Sequence, residues 1–290
     1  MTTDLHPASH ILYPASCILH RASCPPHPAS PIGVFDSGVG GLSVLAEITR
    51  QLPHEDLLYF ADSANCPYGP RPAEEIRRLS RAVVEFLLRQ RAKMIVVACN
   101  TASAAALTDL RRTFAVPIVG MVPAVKTAAM ATDCKVIGVL ATRATVDGQL
   151  FAEVVKRFAA GVQVITRVCP GLVEQVEAGE IDGPETEALL QRCLEPLLKR
   201  GMDTLVLGCS HYPFLIPAMR RIVGADVTIL DPSSAVARQV ERVLAEQGLL
   251  HPKAEPGRRV YFTSGDAAAF ATLLEKLTGE REEVRGVEWG

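Results

Sequence analysis

Residues 95–103, IVVACNTAS, and residues 204–215, TLVLGCSHYPFL, decide the fold. Each begins with a short aliphatic run of the kind that forms a strand buried on both faces. Each run ends at a cysteine, Cys99 or Cys209, and passes into a stretch that reads as the start of a helix. A strand followed at once by a helix is the repeating step of a parallel α/β sheet.

Working outward from the first stretch, residues 32–36, 57–61, 94–98 and 116–120 read as strands. Residues 42–51, 74–90 and 101–113 read as helices. The segment EEIRRLSRAVVEFLLRQ places Ile76, Leu79, Val83, Phe86 and Leu87 on one face, the period of a helix laid on a core. The class is α/β, with helices covering both faces of a parallel sheet.

The same order of elements then recurs. IGVFDS at 32–37 is matched by IGVLAT at 137–142, Cys66-Pro67 by Cys169-Pro170, and VVACNT by LVLGCS. VPIVGMVPAV at 116–125 is matched by VTILDPSSAV at 227–236, so the shift stays between 103 and 111 residues throughout. Correspondences in one order at a nearly constant shift predict two pseudo-symmetric parallel-sheet domains with a site between them. The expected division is a first α/β domain of residues 31–123 plus 233–290, made discontinuous by the returning strand and helix at 258–264 and 266–277. A second α/β domain spans 124–232. The charged end, GEREEVRGVEWG, is expected to be a surface tail.

Residues 1–30 are different in kind. HPAS, YPAS, HRAS and HPAS recur every seven residues from His6, Tyr13, His20 and His27. Proline in nearly every unit defeats a coiled coil, at about 3 kcal/mol per interior position. A disordered repetitive tail is expected. It has neither the cationic start nor the apolar stretch of a signal peptide.

Composition narrows the partners. The 290 residues are 48% hydrophobic, with 30 Lys plus Arg against 32 Asp plus Glu. That balance supplies no positive field for nucleic acid or for a membrane surface. No apolar run reaches the roughly 20 residues of a spanning helix. Partners are expected to be a small molecule and a second copy of the chain, as a homodimer. None of the eight cysteines is spaced as CxxC, so reduced thiols in a cytoplasmic setting are expected, with no metal site.

Ligands of parallel sheets sit beyond the carboxyl ends of the strands, where Cys99 and Cys209 both fall. Facing halves bring the two thiols to opposite sides of one cleft, and a helix amino terminus favours the thiolate. Two equivalent acid/base groups suit a nearly symmetric reaction. In racemisation, one thiolate removes the α-proton of an amino acid and the opposite thiol returns a proton to the other face. SGVGGLS lacks the third glycine of a dinucleotide loop, and no lysine stands beside a phosphate cup, so no cofactor is expected.

DSGVGGLSVL at 36–45, DSANCPYG at 62–69, ACNTAS at 98–103 and GCSHYPFL at 208–215 together resemble the aspartate/glutamate racemase superfamily, in its glutamate racemase branch, over residues 32 to about 277. The resemblance implies cofactor-independent interconversion of L- and D-glutamate, with D-glutamate passing to peptidoglycan synthesis. It implies Cys99 and Cys209 as the acid/base pair, and Asp36 and His211 as groups that set the protonation of those thiols. It further implies Asp36, Ser37, Tyr68, Gly69, Asn100, Thr101, Ser210 and His211 as substrate-binding positions, with Asp62 and Glu177 as acids of the cleft. Ser210 departs from the family's usual threonine and keeps the hydroxyl.

Three alternatives stay open. Aspartate could be the substrate in place of glutamate. Cys209 with His211 could form a nucleophile and base for amide hydrolysis, although neighbours two apart on a helix start face each other poorly. A two-lobed amino-acid binding protein would need no chemistry at all.

Overall fold

The structure, a computed structural model, describes residues 26–288. The first half runs β1 (Ile32–Asp36), α1 (Leu42–Gln51), β2 (Leu57–Ala61), α2 (Ala73–Arg89), β3 (Met94–Val97), α3 (Asn100–Thr113) and β4 (Ile118–Gly120); α4 (Val125–Ala131) opens the second half, where Val125 and Ala128 join the apolar cluster of Ile137 and Val139. The second runs β5 (Val136–Ala141), α5 (Arg143–Val146), α6 (Gln149–Phe158), β6 (Gln163–Val168), α7 (Leu172–Glu177), α8 (Pro184–Leu198), β7 (Thr204–Gly208), α9 (Ile216–Val223) and β8 (Thr228–Leu230). The chain then returns through α10 (Ser233–Glu246), β9 (Arg259–Thr263), α11 (Ala267–Thr278) and β10 (Val284–Gly286).

Two parallel sheets result, in the orders β10-β9-β2-β1-β3-β4 and β6-β5-β7-β8. The last four strands of the first, β2-β1-β3-β4, repeat the order of the whole second sheet, so the duplication read in the sequence is a duplication of topology. β1 lies between β2 and β3, with Val34 opposite Tyr59 and Val96, as β5 lies between β6 and β7, with Val139 opposite Thr166 and Val206. β9 joins β2 in register from Leu57–Arg259 to Ala61–Thr263, which returns the chain to the first sheet.

The central strands are aliphatic because both faces are covered: every residue of β1, β2, β3 and β7 is buried. α2 lays Ile76, Leu79, Val83, Phe86 and Leu87 on the sheet, with Phe86 tilted against Phe60 and edge-on to Phe262 at 5.2 and 5.0 Å. One apolar core runs through both halves, joining Leu42 and Leu45 of α1 to Leu172 of α7 and Leu207 of β7.

Two expectations about the ends need correction. Residues 1–25 of the repetitive tail lie outside the described residues, but 26–30 form a turn, Ser30 N to His27 O at 2.9 Å. Lys93 holds that turn. Its fully buried ammonium pairs with Glu55 at 2.6 Å and donates to the Pro28 carbonyl at 2.5 Å, because a buried cation needs acceptors on every side. The charged end is not only a tail either. Val284–Gly286 pairs in parallel with β9, satisfying that strand's outer edge through the crossover of α11.

Candidate active site between the two sheets

Each half contributes the loops that follow its strands. Asp36 closes β1, and Cys99 follows β3 as the N-cap of α3, with its Sγ accepting from the Ala102 amide at 3.4 Å. Cys209 follows β7, and the chain bends through Ser210 and His211 into a 3-10 turn at Tyr212–Leu215 before α9 begins. The second helix therefore starts later than its counterpart in the first half.

Hydrogen bonds cross between the halves at this point. Ser210 Oγ donates to Asp36 Oδ2 at 2.7 Å, and the Val39 amide donates to Glu177 Oε1 at 2.8 Å. Asp36 Oδ1 accepts from the Gly38 amide at 2.8 Å and from Ser37 Oγ at 3.2 Å. Complete burial nonetheless lifts the Asp36 carboxyl above its ordinary value. His211 stands between a thiol and a carboxylate, with Nδ1 3.8 Å from Cys209 Sγ and Nε2 2.6 Å from Glu177 Oε1. Burial acts to lower its pKa, but Cys209, Cys66 and Glu177 outweigh burial and hold the imidazole well above 6.5. Glu177 is lowered in turn, His211 overcoming the effect of its own burial.

Two local expectations are overturned. Cys99 does cap a helix, but burial dominates the helix end and the nearby Asp36 charge adds to it, so the thiol is pushed well up. Cys209 and His211 do meet, because the backbone between them is a bend rather than an α-helical turn.

The cleft is lined by Ser37, Tyr68, Gly69, Cys99, Asn100 and Thr101 from the first half. Cys209, Ser210 and His211 line it from the second. Its cavity is about 10 Å³, room for about one water. A larger cavity of about 190 Å³ lies outside it, between α1 and the end of α11, but it is walled by Leu42, Ala46, Phe214 and Leu277 and no cysteine faces it. Both cysteines line the smaller one, which is the candidate site. Both polar side-chain atoms of Asn100 are buried there without a partner, a cost that a polar ligand would remove.

Two glycines of the 38–41 turn make room for the second half. A Cβ on Gly38 would run into the Glu177 carboxylate, and one on Gly40 into the His211 ring. Asp62 is not on the cleft wall. Fully buried, it accepts from Tyr68 Oη at 2.5 Å, Ser264 Oγ at 2.6 Å and Asn65 Nδ2 at 3.0 Å, and so fixes Tyr68 from behind.

Sequence reasoning missed Thr142, Val173 and Cys66. Thr142 lines the cleft and bonds Thr101 Oγ1 at 2.8 Å. It is the repeat partner of Ser37, a signal the duplication already held. Cys66 lies 3.9 Å from Ser37 Oγ, and burial pushes its thiol up to about 11. The expectation of reduced thiols holds for Cys66, Cys99, Cys134 and Cys209, whereas Cys169 and Cys193 form a disulfide. Those two are brought together only by the packing of α8 beside the end of β6.

Two α/β halves that present one cysteine each to a shared cleft define an enzyme of the racemase class. The model of the Asp/Glu/Hydantoin racemase family matches residues 32–240, and the chain belongs to that family. It is 53% identical over 251 residues to a glutamate racemase of Roseiflexus, covering 86% of this chain and 92% of that one. A glutamate racemase isoform of Bacillus anthracis superposes with a TM-score of 0.82 at 35% identity, over 90% of this chain and 98% of its own. The Escherichia coli glutamate racemase, solved with L-glutamate and the activator UDP-MurNAc-Ala, superposes with a TM-score of 0.79 at 32% identity, over 90% and 100%.

Proposed function

We propose that this racemase interconverts L- and D-glutamate by two-base proton transfer between Cys99 and Cys209. The observation that carries the proposal is the pair itself: one thiol from each half, at equivalent strand ends, on one cleft wall and the other. A thiolate on one side takes the α-proton, and the electron pair left on Cα spreads into the α-carboxylate. The opposite thiol then protonates the other face, leaving the first cysteine as thiol and the second as thiolate. Starting from the other enantiomer reverses the roles.

The α-proton is weakly acidic, so the developing charge must meet donors already in place. Asn100, Thr101, Ser37 and Ser210 offer them around the cleft. His211, its pKa raised above the ordinary value by Cys209, Cys66 and Glu177, stands with Nδ1 3.8 Å from Cys209 Sγ, within reach of that thiol's proton. At Cys99 burial and the Asp36 charge outweigh the pull of His211, and the substrate ammonium is the group that would favour its ionised form. A cavity of about 10 Å³ is far below the roughly 300 Å³ of ordinary ligand sites, so the halves must separate to admit glutamate and close again for chemistry.

The same proposal takes residues 31–123 plus 233–290 and 124–232 as the moving lobes. It also assigns a homodimer and a supply of D-glutamate to peptidoglycan in the bacterial cytoplasm. Among the described residues no helix is long and apolar enough to cross a membrane.

Contact between Cys209 and His211 favours one rival, a thiol hydrolase. Proton NMR of the enzyme with L-glutamate in deuterated water, with chiral analysis, separates the two. Loss of the α-proton signal with D-glutamate formed and no ammonia supports racemisation. Ammonia without inversion supports hydrolysis, and exchange seen only with aspartate reassigns the substrate.

A further inference from the structure

Cys66, Glu177 and His211 have no common origin in the chain, yet a sulfur, a carboxylate oxygen and an imidazole nitrogen from them lie within 4.8 Å of one another. Cys66 comes from the loop after β2 in the first half. Glu177 ends α7 and His211 follows β7, both in the second half. None of the three is freely exposed, and His211 is 2% exposed. Thiolate, imidazole and carboxylate are the donors of a borderline-soft divalent ion, and three protein ligands with an open fourth position make an ordinary zinc shell. Ser37 Oγ lies 3.9 Å from the sulfur.

We propose that Cys66, Glu177 and His211 form an inhibitory zinc site that clamps the two halves shut. Zinc bonds of about 2.0 Å to nitrogen and oxygen and about 2.3 Å to sulfur require the Glu177–His211 contact, now 2.6 Å, to open to about 3.3 Å and the Cys66 sulfur, within 4.8 Å of both, to settle about 3.5 Å from each. The ion displaces the protons on the Cys66 thiol and the imidazole and releases them to solvent. Its effect is twofold. It takes the Nε2 that His211 shares with Glu177 and so fixes the imidazole that Cys209 faces through Nδ1, and it bridges across the cleft that must open for the substrate. The metal site stands on geometry alone, whereas its inhibitory consequence rests on the proposed racemisation.

The test titrates the full-length enzyme with Zn²⁺ while racemisation is followed, and separately with Co²⁺ while the thiolate-to-cobalt absorption is read. Wild type, Cys66→Ala, Glu177→Gln and Cys209→Ser are compared, each against its own metal-free rate and spectrum. The expected result is one tightly bound ion per chain, with the thiolate–cobalt band kept in Cys209→Ser and lost in Cys66→Ala. Cys66→Ala should need at least about tenfold more zinc for half inhibition, since even outer-shell changes cost that much. Extra glutamate should relieve inhibition of the wild type. A band lost in Cys209→Ser and kept in Cys66→Ala would place the ion on the acid/base thiol and overturn the proposal. So would the absence of any cobalt band in a folded wild-type enzyme. If the band appears as expected but the wild type does not racemise glutamate, the metal site stands and the proposed activity falls.

Discussion

Ser210 and Asp36, 174 positions apart in sequence, share a hydrogen bond of 2.7 Å that ties the second half of the protein to the first at the floor of the cleft. The Asp36 carboxyl is completely buried and depends on such donors. Ser210→Ala is expected to cost about 1–3 kcal/mol of stability, the usual penalty for stripping a partner from a buried polar group. Ser210→Thr, which keeps the hydroxyl, should lose far less. Thermal unfolding of the two variants beside the wild type, with kcat/KM for each, checks this; equal losses would remove Ser210 from the support of Asp36.

Replacing either cysteine should split the reaction. Cys99→Ser and Cys209→Ser are each expected to lower racemisation by at least about 100-fold, the contribution of a positioned acid or base. Each variant should still exchange the α-proton of one enantiomer with deuterium far faster than that of the other. If either variant racemised at the wild-type rate, the two-thiol scheme would be wrong.

Gly38 is expected to tolerate no side chain. Its Cβ would meet the Glu177 carboxylate, so Gly38→Ala should hold the halves apart and uncouple Glu177 from His211. Because it breaks the same buried pair, stability should fall by up to about 3 kcal/mol while kcat/KM falls about tenfold or more. A variant with normal kcat/KM would show that the approach of Glu177 to this turn is not needed for turnover.

The His211–Glu177 pair gives a pH signature. His211 is raised above 6.5, so its contribution to stability is complete below pH 6.5 and drains away as pH rises through the raised value. Glu177 is lowered from 4.5, so its contribution is complete above pH 4.5 and is lost as pH falls through the lowered value. Both are whole between pH 4.5 and 6.5. Glu177→Gln should therefore destabilise most in that window, by up to about 3 kcal/mol for a largely buried pair, and less at high pH. Denaturant unfolding of both proteins from pH 4 to 9 measures it, and a difference independent of pH would contradict the ion pair.

The aliphatic runs before Cys99 and Cys209, the period of α2 and the constant shift between the halves were enough to determine the α/β class, the duplication and the strand-end positions of the two cysteines. Those features are local or repetitive, and hydrophobic period is legible without coordinates. The tertiary structure decided what depends on distant segments meeting. It set the desolvation that lifts the Cys99 thiol against the helix end and the bend that lets His211 reach Cys209. It also moved Asp62 behind Tyr68, joined Cys169 to Cys193, and brought Cys66 from the first half to Glu177 and His211 in the second. Burial and cross-lobe contact are properties of three-dimensional packing, and no spacing along the chain records them.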